Sequence, residues 1–332
     1  MVTQVRVGIV GAGFIARAHA AAYAATEGVK IIGIADPVRE KADRLAEHFG
    51  STAVADLSDL VSLGIDAVSV CTPSPTHADL VEAAVAAGVH VLCEKPIARS
   101  FFDARRIVDA ADKASGIVMI GHVSRYEPDH ARARDVIAAG GIGDVRMVSQ
   151  SILSAAPAWS QDAWLHDHNQ SGGPLIDLAI HSFDYLAWAS GSQPIRVQAV
   201  ASDTAAGPVT YVLITIRYAN GAIGLVESSW GHPLAYGFQV ATEISGASGR
   251  LWWEYAGISG GRMATEDGAV TLFDTLGDRG FRAEIGAFID AVRAGGPSPV
   301  PATEALAALR TALAAERSLS QRRPVALDEI SS

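Results

Sequence analysis

The stretch Val5-Arg6-Val7-Gly8-Ile9-Val10-Gly11-Ala12-Gly13-Phe14-Ile15-Ala16 decides how the chain folds. Val5–Val10 is an apolar block rich in valine and isoleucine, which reads as a strand buried on both faces. Gly11, Gly13 and Ala16 follow it directly and open a helix over Phe14–Ala25, in the G-x-G-x-x-A form of the dinucleotide fingerprint. Gly11 supplies the tight turn, Gly13 lets the backbone approach a pyrophosphate, and Ala16 permits close helix–strand packing. The helix start at Phe14 and Ile15 offers free N–H groups and a positive dipole end to phosphates. A second strand, Lys30–Ala35, ends at Asp36, about 20 residues on, where the fingerprint wants an acid for the ribose hydroxyls. Asp36 would repel a 2′-phosphate and so favours NAD over NADP, while Arg39 close by is a residue that can serve such a phosphate.

Outward from this unit, strands and helices continue to alternate. A helix over Arg39–Phe49 closes at Gly50, and Ala67–Val70 is a strand followed by a helix from Thr76 to Ala87. His90–Cys93 is a strand, Ser100 caps a helix to Ala114, and Ile117–Ile120 is a further strand. The alternation predicts a doubly wound parallel sheet with helices on both faces. Ligands bind outside the carboxyl ends of such strands. The turns Cys71-Thr72-Pro73, with His77 just beyond, and Glu94-Lys95-Pro96 therefore face the cofactor, and Pro96 stiffens the position of Lys95. After His122 the rhythm changes. Helices over Pro128–Ala139 and from Gly172-Gly173-Pro174 to Ala189 flank the strand Val145–Ser154. Closely spaced strands follow at Ile195–Ala201, Val209–Tyr218, Ile223–Trp230, Phe238–Ser245 and Gly249–Trp253. Asn220-Gly221 is a hairpin signal, so these strands predict a large, mostly antiparallel open sheet. Helices over Phe281–Ala294 and Thr303–Ser320 close an α+β domain. The expected division is 1–122 and 123–332.

With 332 residues, two domains is the prior. Lys and Arg total 26 against 36 Asp and Glu, a formal net charge of -10, which disfavours nucleic acid and anionic membrane as partners. Cys71 and Cys93 are too few for a disulfide framework or a cysteine zinc site and suit a reducing cytoplasm. No apolar run reaches the ~18–20 residues of a membrane helix. His166-Asp167-His168 with Asp177 and His181 has the ligand types for a metal, but its spacing is that of a loop; no metal is expected. Asp177 and His181, four apart on the helix after Gly173, face the same way among apolar neighbours, with Asp184 near the same face.

Taken together, Gly11-x-Gly13-x-x-Ala16, Asp36, Thr72-Pro73 with His77, Glu94-Lys95-Pro96, and Gly172-Gly173 followed by Asp177, His181 and Asp184 resemble the Gfo/Idh/MocA family (glucose–fructose oxidoreductase, inositol dehydrogenase and MocA) over almost the whole chain. The resemblance implies a Rossmann domain followed by a substrate-binding and oligomerising domain. It implies an NAD-dependent dehydrogenase that oxidises a secondary alcohol of a sugar, sugar derivative or cyclitol. Oxidation of an alcohol needs a hydride acceptor and a base, and His is poised near neutral pH. By resemblance Lys95, Asp177 and His181 carry the chemistry, with the choice of base between Lys95 and His181 open. His122, Trp159, Trp164 and Tyr236 are expected at the substrate, and Trp164 also at the cofactor. Arg125, Tyr126 and Pro128 match the family pattern. Ser124 replaces an Arg of the inositol dehydrogenases, and Pro174 replaces the usual third glycine. Two other activities of the same fold remain open: glycoside modification by oxidation, elimination and re-reduction with bound NAD, and non-catalytic regulation by NAD. The resemblance also implies a homodimer or homotetramer built through the second-domain sheet.

Overall fold

A computed structural model describes residues 4–157, 164–202, 209–255, 259–265, 268–275 and 280–331. The chain divides into two compact units, Met1–Val123 with Arg279–Leu306, and Ser124–Asp278 with Ala307–Ser332. The first crossing lies one residue beyond the position read from the sequence. Arg279–Leu306, assigned from sequence to the second domain, packs with the first.

The first unit is built on β1 (Val5–Val10), α1 (Phe14–Ala24), β2 (Val29–Ala35), α2 (Arg39–Phe49), β3 (Thr52–Val54), α3 (Leu57–Ser62), β4 (Ala67–Val70), α4 (His77–Ala86), β5 (His90–Glu94), α5 (Phe101–Lys113) and β6 (Val118–Gly121). All neighbours in its sheet are parallel, in the order β3-β2-β1-β4-β5-β6. The strands are apolar on both sides because helices cover both faces; Val7, Ile9, Ile34, Val68, Val70, Val91 and Leu92 are fully buried. The order reverses between β1 and β4. That switch point puts the turns after these two strands at the edge where such sheets bind ligands. The turns touch: Gly11 has φ +95, and a Cβ there would stand 2.3 Å from the Cys71 carbonyl oxygen. Only glycine fits.

The second unit contains α6 (Pro128–Ala138), β7 (Val145–Leu153), α7 (His168–Ser171), α8 (Ile180–Ser190), β8 (Pro194–Ala201), β9 (Tyr211–Tyr218), β10 (Ile223–Ser229), β11 (Gln239–Gly246), β12 (Gly249–Tyr255), β13 (Ser259–Thr265) and β14 (Gly268–Thr275). The helix α9 (Phe281–Ala294) belongs to the first unit, and the division falls within α10 (Ala302–Gln321) before β15 (Val325–Ala326) completes the second sheet. Among the described residues this sheet has nine strands in the order β14-β13-β12-β11-β7-β10-β9-β8-β15. It is mostly antiparallel, with β7 and β10 parallel. In β9 the residues Val212, Ile214, Ile216 and Tyr218 point inward, while Leu213, Thr215 and Arg217 point out. Val200, paired with Leu213, and the β10 residues Ile223 and Leu225 are also exposed, so one face carries an uncovered apolar strip.

The continuous helix expected from Pro174 to Ala189 is two pieces. Pro174–Leu178 forms one π-helical turn, closed by Ala179 N–H donating to the Pro174 carbonyl at 2.9 Å, and α8 starts afterwards. Ser228 Oγ–H donates to the same carbonyl at 2.9 Å. Pro174 sits at the first position of this turn, where a missing N–H leaves no hydrogen bond unmade, and takes part through its carbonyl alone.

Candidate functional site

The cofactor fingerprint folds as its residues require. α1 begins at Phe14 with no side-chain cap from Gly13 and no acid in its first turn, so no carboxylate of that turn offsets the positive dipole end. Gly13 has φ -81, a conformation open to any residue, and a Cβ there would meet nothing within 4 Å. Nothing around Gly13 among the described residues demands glycine there, which leaves its Cα face open to a ligand. Ala16 is fully buried under the helix. One Asp36 oxygen accepts the Ala12 N–H at 2.9 Å and the other accepts the Val38 N–H at 2.8 Å. The carboxylate is thereby held at the end of β2, beside the glycine turn. Arg39 is exposed and paired with Asp43 one turn on. Phe14 is exposed and Ile15 half-buried at the mouth of the turn. These residues fit a dinucleotide: the open cradle would take a pyrophosphate and the acid a ribose diol. Substituting Gly13 by valine is expected to raise the Kd for NADH at least tenfold, measured by fluorescence titration, with Tm unchanged, because the new side chain occupies ligand space only. An unchanged Kd would remove the pyrophosphate assignment.

The turn after β4 is stiffened from behind. Thr72 and Thr76 share a hydroxyl hydrogen bond at 2.7 Å, and Pro73 leads into the short 3-10 turn Ser74–Thr76. His77, expected at the cofactor, is buried; its ring nitrogens face the Pro96 carbonyl at 3.0 Å and the Thr72 carbonyl at 2.9 Å. It clamps the two strand-end loops to each other. Burial pushes its pKa down, against the two carbonyls, which favour the protonated ring. Burial, together with the nearby Glu94 charge, pushes the thiols of Cys71 and Cys93 up, so both remain thiols near neutral pH.

Glu94, also expected at the cofactor, turns inward. Its Oε1 meets His19 Nε2 at 2.9 Å, and its Oε2 accepts the Lys95 N–H at 3.0 Å. Burial works against its charge, but the His19 hydrogen bond and the charges of His19 and Lys95 hold the carboxyl below the usual carboxylate range. Lys95 is half-buried at the carboxyl end of β5, and its peptide with Pro96 is cis. His122, expected at the substrate, is 1% exposed at the end of β6.

In the second unit, Gly172 (φ +75) and Gly173 (φ +60) bring the chain into the π turn. Asp177 lies in that turn and His181 in the first turn of α8; both are half-buried. The wider turn alters the simple i, i+4 register expected of them. His181 Nδ1 is hydrogen-bonded to Ser124 Oγ at 3.2 Å, and the Ser124 carbonyl faces His130 Nδ1 at 2.9 Å. Asp184 is turned away from any ligand role: it is 1% exposed and forms a two-point ion pair with Arg125, Nε to Oδ2 at 2.7 Å and Nη2 to Oδ1 at 2.5 Å. Trp164 packs, partly buried, on the cluster of Ile152, Leu165, Leu178, Trp230 and Val240. Tyr236 stacks on His232 with ring centroids 4.2 Å apart. Trp159 lies outside the described residues. Asp167 caps α7; the Gln170 side chain and the Asn169 N–H hold its carboxyl below the usual range, so the His166-Asp167-His168 run is organised by helix capping.

Sequence reasoning missed His19 and Glu284. Both are buried beside Glu94, and the three form a group with potential ligand atoms within 4.8 Å of one another. Among the described residues no helix is long and apolar enough to cross a membrane.

Residues 5–122 match the model of an oxidoreductase family with an NAD-binding Rossmann fold, GFO_IDH_MocA, and residues 130–252 match the GFO/IDH/MocA C-terminal domain. The chain is 30% identical over 334 residues to an inositol 2-dehydrogenase of Rhizobium meliloti (strain 1021), covering 97% of this chain and 99% of that one. It is 31% identical over 329 residues to the rhizopine catabolism protein MocA of Rhizobium meliloti, covering 96% of each. Among solved structures, a levoglucosan dehydrogenase in complex with NADH superposes with a TM-score of 0.88 at 26% identity, covering 98% of this chain and 99% of that one.

Proposed function

The chain belongs to the Gfo/Idh/MocA oxidoreductase family, and from that premise we propose that it is an NAD-dependent dehydrogenase oxidising a secondary alcohol of a sugar, sugar derivative or cyclitol. The observation that carries the cofactor half is the open backbone at Gly13 below an uncapped helix end, with Asp36 held beside it. NAD, when bound, would supply the hydride acceptor. The chain's own residues handle the proton and the charge. His181, its Nδ1 engaged by Ser124, exchanges the hydroxyl proton through Nε2. Lys95 stabilises the developing alkoxide, and Asp177 orients the substrate or His181. Asp36 supports NAD over NADP, because the Asp carboxylate repels a 2′-phosphate and Arg39 is engaged with Asp43.

The substrate class rests on the relatives, named for inositol and levoglucosan. Ser124, where inositol dehydrogenases carry an Arg, weighs against an unmodified inositol. The test is NADH formation over a panel of sugars, sugar acids and cyclitols that includes myo-inositol, with NAD and NADP at equal concentration. Turnover with one polyol class and NAD is the expected result. Tight NADH binding without turnover would instead favour the regulator, and product formation without net NADH would favour glycoside modification. The apolar strip of Val200, Leu213, Ile223 and Leu225 supports a homodimer or homotetramer through the second sheet. Light scattering at micromolar concentration is expected to give a multiple of the chain mass, and a monomer mass would refute the assembly.

A further inference from the structure

Four buried polar groups of the first unit, His19, Tyr23, Ser69 and Glu94, form one hydrogen-bonded row. His19 on α1 is fully buried and joins two strands: Nδ1 meets Ser69 Oγ on β4 at 3.0 Å, and Nε2 meets Glu94 Oε1 on β5 at 2.9 Å. Tyr23, one turn on, meets the same Ser69 hydroxyl at 2.8 Å. Glu94 Oε2 then accepts the Lys95 N–H at 3.0 Å. From the other side α9 closes on the row. Phe281 sets its ring 5.9 Å from that of His19, and fully buried Glu284 brings its carboxylate within 4.8 Å of the His19 and Glu94 ligand atoms. Gly121, paired with Glu94 across the sheet, makes room: a Cβ there would stand 3.1 Å from Glu94 Oε1.

Burying two carboxylates and an imidazole is costly, and apolar side chains of the same volume would serve packing as well or better. The row ends on one directional contact, a carboxylate accepting the N–H of Lys95, and such charge-assisted bonds are shorter and stronger than neutral ones. It fixes the backbone from which the lysine side chain departs. His19 sets the orientation of Glu94, and α9 seals the far side against water. A cation shared by the three groups would have to break the His19–Glu94 hydrogen bond. We propose that His19 and Glu284 are positioning residues that act through Glu94 to hold Lys95. The proposal rests on the reading of Lys95 as a catalytic group, and its test is chosen to stand apart from that reading.

The chain has four lysines, Lys30, Lys41, Lys95 and Lys113, so three serve as internal references. Trace acetylation with acetic anhydride, read peptide by peptide in a mass spectrometer, gives the rate at Lys95 relative to the other three. In His19→Leu and in Glu284→Gln this ratio is expected to shift threefold or more. In His19→Gln, whose amide can donate to Glu94 in place of Nε2, it is expected to stay near the parent value. Turnover of Glu284→Gln is expected to fall at least tenfold with KM for NAD unchanged. Should His19→Leu fail to fold, Glu284→Gln and His19→Gln carry the comparison. An unchanged ratio in folded Glu284→Gln, a parallel change at all four lysines, or a stoichiometric divalent metal in the purified protein would each overturn the proposal. A parent-like turnover of Lys95→Met would overturn the catalytic reading while leaving the acetylation result intact.

Discussion

Replacing Lys95 by methionine is expected to lower kcat by about 10²–10⁴-fold, the range typical of a removed proton-transfer or charge-stabilising group. Methionine keeps the length and apolar stem of the lysine and discards the charge. The loss therefore falls on the transition state, and NADH binding, read by fluorescence, stays within about twofold of the parent if the lysine acts only there. His181→Ala is expected to behave in the same way. Together the two variants separate catalysis from folding, since both residues are half-buried and neither supports a core. Near-parent turnover in both would remove the assignment.

The largest effect on stability is expected at Arg125 and Asp184. Both ends of this pair are buried, at 5% and 1% exposure, and the guanidinium lies 5.5 Å from the centre of the Trp188 ring. Asp184→Asn leaves a buried cation without its counter-charge, and such losses cost about 3–5 kcal/mol. The check is urea unfolding: the midpoint should fall with m unchanged. Removing both charges together, with Arg125→Met and Asp184→Leu, should recover part of the loss. By contrast, Arg323→Ala, which breaks the exposed pair with Glu329, should hardly move the midpoint. Equal midpoints for Asp184→Asn and the parent would show that the pair contributes nothing.

Much of the first unit was legible because its signals are local. The strand–glycine–helix sequence from Val5 to Ala16 and the acid at Asp36 lie within one βαβ unit, and Gly11 answers the close approach of the turn at Cys71. What escaped was short or non-local. β3 has three residues, too few for a periodic signal. β13 and β14 lie beyond the last clear apolar alternation, although the run from Ala269 to Phe273 held a β signal. The π turn depends on a carbonyl of Pro174 shared by Ala179 and Ser228, which no spacing rule announces. The position of Glu94 at the carboxyl end of a parallel strand points to the cofactor; its inward turn follows from His19, 75 positions away. His19 did leave a trace. With Ala16, Ala20 and Tyr23 it lies on the buried face of α1, and a lone imidazole on such a face calls for a partner.

The return of Arg279–Leu306 to the first unit bears on how the protein is made. A nascent chain that has emerged only as far as Gly121 holds every strand of the parallel sheet, yet lacks the helix that covers His19 and Glu94. More than 150 residues of the second unit must be synthesised before that cover arrives. Loop closure over such a span is slow. Until it happens the nucleotide-binding half lacks the helix that packs over the His19–Glu94 hydrogen bond, and a fragment cut at residue 122 would never gain it.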